Sequence, residues 1–129
     1  MIRLKRPHRG GPESFGGGHM MGIRDVARSF DVLSGEDADG ALRATLLGEI
    51  DIAVEDEVID RLGALTQFEE RVRLDLSQLR FIDSHGMDAV VAAITGARRD
   101  GCELEVDDRV SPSVARIVQY TDAGAQLWP

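Results

Sequence analysis

The sequence passes twice from a strand pattern to a helix pattern and back to a strand pattern, which leaves the chain few possible folds. The segment "RVRLDLS" (71–77) alternates apolar and polar residues, as a half-buried strand does, and "CELEV" (102–106) is a second short strand. Residues 54–68 precede the first of these strands and have apolar residues at helical spacing. A second helical stripe lies between the two strands, at Met87, Val90, Val91 and Ile94. Strands joined through helices favour parallel pairing with right-handed crossovers.

Two strand-like segments open the body of the chain and a helix closes it. "VARSFDVL" (26–33) and "ALRATLLGEI" (41–50) are separated by the turn-rich "SGEDADG", which predicts a hairpin. Near the end, Ser111 is a suitable N-cap and Pro112 a suitable first helical residue. We therefore predict a small α/β domain of order ββαβαβα, with a mixed four- to five-stranded sheet and helices packed on it.

Charge divides the chain into two parts. Residues 1–24 are rich in glycine and have a formal charge of +4, whereas residues 25–129 have −12. We predict a flexible basic tail over 1–24 and one folded domain over 25–129. The acidic domain is not expected to bind nucleic acid, because contacts to phosphate provide most of that affinity. It suits a protein partner with a basic face, although acidity also simply keeps a small domain soluble.

Composition argues against several other classes of protein. The single cysteine, Cys102, excludes an internal disulfide and a thiolate metal cluster, and we expect it to be buried. The apolar runs are too short to span a bilayer, and the basic start is not followed by the apolar core of a signal peptide. We therefore expect a cytoplasmic protein without membrane insertion, bound metal or cofactor.

The stretch "FIDSHGMDA" (81–89) places an aspartate, a serine and a histidine side by side. A nucleophilic triad needs the serine and the carboxylate on opposite nitrogens of the imidazole. Neighbouring residues on a strand or helix point in different directions, so this order does not build a triad. The sequence predicts that the protein is not an enzyme. It places Ser84 at the N-cap of a helix starting near His85, where added phosphate would be tolerated.

Three motifs of the chain resemble the STAS domains of bacterial anti-sigma factor antagonists. These are "LLGEIDIAVEDEVIDRL", "VRLDLSQLRFIDSHGMDAVVAAI" and "VSPSVARIVQYTDAG", which occur in the order of that family. The resemblance as a whole extends over about residues 26–128. The resemblance implies that Ser84 is a phosphoacceptor and that the partner is an anti-sigma factor with serine kinase activity. The unphosphorylated protein would bind this partner and release a sigma factor, and phosphorylation would end the complex.

The resemblance also implies a phosphosite neighbourhood and partner interface, made of Asp51, Asp83, His85, Gly86, Met87 and Asp88. Asp51 has an alternative structural role in an Asx-type turn, and Met87 an alternative place in the core. His85 replaces a serine or threonine of the family motif, so it would either screen the phosphate or hinder the kinase. We expect Trp128 to pack back on the body, and the protein to be a monomer or a weak dimer.

A second function is compatible with the same resemblance. The chain would then be a STAS scaffold that does not switch, either a subunit of a signalling assembly or an accessory of a transporter. Such a domain would bind its partner constitutively and would be insensitive to Ser84→Asp.

Overall fold

A computed structural model describes residues 29–129. The predicted tail, the predicted boundary between residues 24 and 25 and the start of the first predicted strand lie outside these described residues. The elements follow one another as β1 (Phe30–Glu36), β2 (Leu42–Ile50), a 3-10 turn (Ile52–Val54), α1 (Glu55–Thr66), β3 (Arg71–Leu76), β4 (Leu79–Ile82), α2 (Ser84–Arg99), β5 (Glu103–Val110), α3 (Pro112–Tyr120) and α4 (Ala123–Leu127).

The strands form one mixed sheet, which confirms the predicted fold class. The spatial order is β1-β2-β3-β5, with β4 also paired to β2. Strand β1 is antiparallel to β2, and the other pairings are parallel. The prediction that Ser111 is the N-cap of α3 is confirmed, because its hydroxyl accepts a hydrogen bond from Val114 N. Pro112 follows it as the first helical residue, also as predicted. Because β2 and β4 are parallel and Ile50 is opposite Ile82, the carboxyl ends of these two strands lie side by side.

Strand β4 was not predicted from the sequence, and neither was the short helix α4. β2 pairs with β3 through Leu42–Thr45 and with β4 through Gly48–Ile50. The long β2 therefore extends past β3, and its second half would have unpaired backbone groups without β4. Leu79 and Ile82 of β4 are buried, so its four residues also contribute to the core.

One face of the sheet is covered by helices and forms the core. The alternation predicted for β3 is confirmed, because Val72, Leu74 and Leu76 are buried while the residues between them are not. From α1, Val58 and Leu62 are buried against this face. Each such aliphatic side chain contributes roughly 1.5–3 kcal/mol relative to leaving it exposed. Cys102 is buried as expected, and burial raises the pKa of its thiol.

Beside the sheet's other face, residues from β2, β3, β5 and the β1–β2 turn form a network of ion pairs. Asp37 accepts hydrogen bonds from Arg43 Nε at 2.8 Å and from Arg73 Nη1 at 2.6 Å. Arg43 Nη1 also donates to Asp75 and to Asp107, each at 3.1 Å. The network therefore connects the turn after β1 to three strands through two guanidinium groups.

We expect this network to make the stability of the protein sensitive to acid. Hydrogen bonds from Arg43, and then from Arg73, lower the pKa of Asp37. A carboxylate with a lowered folded-state pKa stabilises the fold above its unfolded pKa of about 3.9, and this stabilisation is lost as the pH falls through the folded value. Asp37→Asn should therefore reduce the free energy of unfolding at neutral pH, and the deficit should shrink below about pH 4.

Urea unfolding of the parent and of Asp37→Asn at neutral pH and at about pH 3 measures this effect. Asp60→Asn is the control, because Asp60 is exposed and has no ion pair within residues 29–129. An Asp37→Asn deficit of equal size at both pH values would contradict the prediction.

The outer edge of β5 is covered by side chains from α2 and the C-terminal segment. Arg98 Nε donates to the carbonyl oxygen of Leu104 at 3.0 Å, and Trp128 Nε1 donates to that of Val106 at 2.9 Å. Arg98 also donates to the carbonyl oxygens of Gln126 and Leu127. Trp128 thus packs on the body as predicted. These side chains occupy backbone acceptors that an edge strand would otherwise offer to another chain.

Candidate functional site

The three motifs of the sequence meet at one end of the sheet. Ile50 of β2 pairs with Ile82 of β4 in parallel register, so the next residues of both strands, Asp51 and Asp83, leave the sheet side by side. Asp83 N donates a hydrogen bond to the carbonyl oxygen of Ile50 at 3.3 Å. The third motif reaches the same place, because Ser113 Oγ accepts from Ile82 N at 2.9 Å. Hydrogen bonds to Ile50 and Ser113 therefore hold the backbone of Ile82 and Asp83, directly before Ser84.

Asp83, and not Ser84, caps helix α2. The carboxylate of Asp83 accepts a hydrogen bond from Gly86 N at 2.8 Å, and its backbone is extended. The prediction that Ser84 is the N-cap is therefore wrong, and Ser84 is the first residue of the helix. The reason is that both residue types are good caps, and the extended end of β4 brings Asp83 to the capping position.

Ser84 is left with an exposed side chain and no structural task. Its hydroxyl makes no hydrogen bond to any atom of residues 29–129, whereas an N-cap hydroxyl would be engaged by the helix backbone. It lies in the first turn of α2, where free backbone N–H groups and the helix dipole favour negative charge. The hydroxyl is therefore accessible to a modifying enzyme, and a phosphate on it would not break an existing bond.

Gly86 brings the start of α2 against β2. A Cβ atom at this position would collide with the carbonyl oxygen of Ile50, and would lie 2.8 Å from Cγ2 and 2.9 Å from the carbonyl carbon of the same residue. The backbone of Gly86 has no positive φ, so the requirement is for space and not for glycine's conformational freedom. Glycine here sets the distance between the helix that carries Ser84 and the end of β2.

Asp51 holds the short turn next to the site. Its carboxylate accepts a hydrogen bond from Ala53 N at 3.0 Å and caps the 3-10 turn Ile52–Val54, so its predicted Asx-type role is confirmed. This turn also contacts helix α2. Asp51 therefore lies beside the start of α2, and its carboxylate positions the backbone of the turn.

The other residues of the predicted neighbourhood divide into surface and interior. His85 and Asp88 are exposed, and His85 Nδ1 lies 3.8 Å from Glu55 Oε2 at the start of α1. Gly86 and Met87 are buried, and Met87 is only 1% exposed, which confirms its alternative place in the core. Gly86 and Met87 support the site from beneath, and its surface is formed by Asp51, Asp83, Ser84, His85 and Asp88.

Two exposed apolar side chains near the site were not among the predicted residues. Ile52 in the 3-10 turn is 59% exposed, and Phe81 in β4 is 45% exposed. A signal for Ile52 was present in the sequence, because it follows the strand-ending Asp51 and lies outside the helical stripe that begins at Val54. The exposed fraction of the Ile52 side chain also depends on neighbours from distant parts of the chain, so the local sequence does not determine it.

A family model described as "Mlab, STAS domain" matches residues 34–128. The chain therefore belongs to the STAS domain family, as its three motifs indicated. No curated protein sequence gave a significant match.

Solved structures with a similar fold include regulators and a part of a much longer protein. An anti-sigma factor antagonist from Mycobacterium paratuberculosis has 22% identity and a TM-score of 0.61, with 78% of this chain and 84% of that chain covered. Unphosphorylated SpoIIAA, an anti-sigma factor antagonist, has 15% identity and a TM-score of 0.57 over 74% of this chain and 84% of its own. The phosphorylated form of SpoIIAA from Bacillus has 14% identity and a TM-score of 0.53, covering 74% and 87%.

SLC26A9 has 14% identity and a TM-score of 0.61, and the match covers 78% of this chain but 22% of that one. All these identities are low, so the likeness is one of fold. Within residues 29–129, no helix is long and apolar enough to cross a membrane.

Proposed function

We propose that this protein is an anti-sigma factor antagonist that is switched by phosphorylation of Ser84. In the unphosphorylated state it binds an anti-sigma factor that is also a serine kinase, and a sigma factor is released. The kinase transfers the γ-phosphoryl group of ATP to Ser84 Oγ, with release of ADP and of the hydroxyl proton, and the complex then dissociates. The protein has no catalytic role of its own in this scheme, which operates in the cytoplasm.

The observation that carries the proposal is the position of Ser84. Its hydroxyl is exposed at the first position of α2, while Asp83 performs the capping that would otherwise engage a serine. The backbone of the two residues before Ser84 is held by the bonds to Ile50 and Ser113. A kinase would therefore find this hydroxyl on a backbone of defined position, without having to unfold the helix.

The charges around Ser84 explain how a phosphate would end binding. A phosphoserine adds about 1.5 to 2 negative charges at neutral pH. Asp51 and Asp83 are half-buried beside the acceptor, and Asp88 is exposed one turn further along α2. The dianion would lose hydration when covered by a partner, and it would disturb any arrangement of charges that had been complementary to the unmodified surface.

Known structures of similar fold support the choice of this function over others. SpoIIAA, which is an anti-sigma factor antagonist, has been solved in unphosphorylated and phosphorylated forms. The similar protein from Mycobacterium paratuberculosis is also an anti-sigma factor antagonist. The similarity to a part of SLC26A9 is compatible with the second candidate, a STAS module that serves as an accessory to a transporter and does not switch, but it does not favour it.

The test is the intact mass of the protein isolated from its own host, before and after phosphatase treatment. We expect one phosphate increment of about 80 Da that phosphatase removes, because phosphorylation adds one group to one hydroxyl. Ser84→Ala should lose the increment, and Ser34→Ala, which changes an exposed serine of β1, should keep it. The absence of an increment under all growth conditions would contradict the proposal and favour the module that does not switch.

A further inference from the structure

Ile52 and Phe81 are large apolar side chains exposed in the two chain segments that meet near Ser84. They belong to the two chain segments that pair just before the site, since Ile50 is opposite Ile82 and Glu49 is opposite Phe81. Ile52 lies two residues beyond this pairing, and Ser84 lies two residues beyond it on the neighbouring segment. Ile52 therefore lies beside the segment that carries Ser84, and Phe81 lies three residues before Ser84 in the adjacent strand.

The turn that presents Ile52 is held in place. Asp51 bonds to Ala53 N through its carboxylate, and its carbonyl oxygen accepts from Val54 N at 3.1 Å. The turn also packs against α2. An exposed side chain on a fixed backbone loses little backbone entropy when a partner covers it, and such preorganised apolar side chains are efficient anchors for binding.

Acidic groups surround this anchor. Asp51, Glu55 and Asp56 precede or follow Ile52 within four residues, and Asp83 and Asp88 belong to the neighbouring segment. Arg80 is the basic residue nearest to this region in the sequence, and it is paired with Glu49 at 3.2 Å. An apolar centre with a charged rim is the arrangement of a protein interface, and the negative sign of this rim selects a basic partner surface.

We infer that Ile52 is the apolar anchor of the kinase-binding surface, and that it fits an apolar pocket edged by Arg and Lys side chains on the anti-sigma factor. This inference rests on the proposed function and adds the chemistry of the partner's surface. Phe81 forms a second apolar contact beside it. Phosphorylation of Ser84 would then act next to the anchor, by placing there a dianion that loses its hydration when the partner covers it.

The experiment uses the purified anti-sigma factor kinase of the host that phosphorylates Ser84, with the full chain as its partner. Ile52→Ala should lower the affinity at least about tenfold, as removal of an interface anchor does. Leu33→Ala is the matched control, because Leu33 is an aliphatic residue of similar exposure, 56%, on β1. It is opposite Thr45, about 13 Å along β2 from the residue that pairs with Phe81, and its replacement should change the affinity less than twofold.

Two further measurements separate an anchor from a general surface effect. Ile52→Ala should raise the KM for phosphorylation of Ser84 and leave kcat unchanged, because it removes binding made equally in the ground state and transition state. Raising the salt concentration should weaken the parent complex, since the rim charges are exposed. Thermal unfolding of Ile52→Ala should match the parent.

The outcomes distinguish this inference from the proposed function. If Ser84 is phosphorylated and Ser84→Asp blocks binding, but Ile52→Ala binds like the parent, the anchor is overturned and the switch stands. An affinity that is insensitive to salt overturns the basic partner surface. If no kinase of the host modifies Ser84, the proposed function fails and this inference fails with it.

Discussion

Ser84→Asp is expected to weaken the complex with the proposed anti-sigma factor kinase by about 100-fold. The added carboxylate lies beside Asp51 and Asp83 on the same surface, and a partner that covers it removes its hydration at a cost of several kcal/mol. The phosphorylated protein should bind at least as weakly, since phosphate carries more charge than a carboxylate. Ser84→Ala should bind like the parent, because the Ser84 hydroxyl has no partner within residues 29–129 that would be lost. Isothermal titration calorimetry with the purified kinase measures all three affinities.

The control for this result is Ser34→Asp, which adds the same charge at an exposed serine of β1. It should reduce affinity less than about threefold, as expected for a charge outside the interface. Equal binding by the parent and by Ser84→Asp would rule out the switch and leave the constitutive scaffold. An equal loss of affinity in Ser84→Asp and Ser34→Asp would mean that the total charge of the protein, and not the position of Ser84, controls binding.

The second large effect is expected at Gly86. Gly86→Ala should reduce the free energy of unfolding by about 2 kcal/mol, because the added methyl group overpacks a rigid contact. The atoms it would meet are the backbone carbonyl and Cγ2 of Ile50, and the backbone of a central strand cannot easily move. The start of α2 would have to shift away from β2. The kinase should therefore also phosphorylate Ser84 of this variant more slowly than Ser84 of the parent.

Gly96→Ala is the matched control, since it makes the same substitution in the same helix. The nearest atom to a Cβ there is Arg99 Nη2 at 3.8 Å, an ordinary contact with a flexible side chain. This variant should gain about 0.5–1 kcal/mol, the usual preference of a helix interior for alanine over glycine. Urea unfolding measures both, and equal stability of the two variants would show that the contact between Gly86 and Ile50 is not tight.

The local sequence pattern was sufficient to predict the buried face of β3, but it was not sufficient to predict the short strand β4. Val72, Leu74 and Leu76 were predicted to share a face because a strand has a period of two, and the structure buries all three. Strand β4 has four residues, and it forms because β2 extends past β3, which is a fact about distant parts of the chain. A short segment of this kind does not carry enough alternation to be predicted from sequence.

The sequence predicted the helix start that carries Ser84, but the residue predicted to cap that helix was wrong. The sequence indicated that Ser84 lies at a helix start, but two adjacent residues with good capping side chains left the capping residue ambiguous by one position. The end of β4 decides in favour of Asp83, through the bond from its N–H to Ile50. The exposure of Ile52 depends on the turn that Asp51 caps. It was not predicted, because it also depends on contacts between distant parts of the chain.

The contact of Trp128 with the edge of β5 gives the protein a built-in optical probe. The chain contains one tryptophan, and its indole N–H is bound to the carbonyl oxygen of Val106. Its fluorescence therefore comes from a single known place, where the C-terminal segment covers the sheet. The wavelength of its emission maximum therefore reports unfolding, and any release of this segment, in the unlabelled protein. Binding near Ser84 can be measured independently.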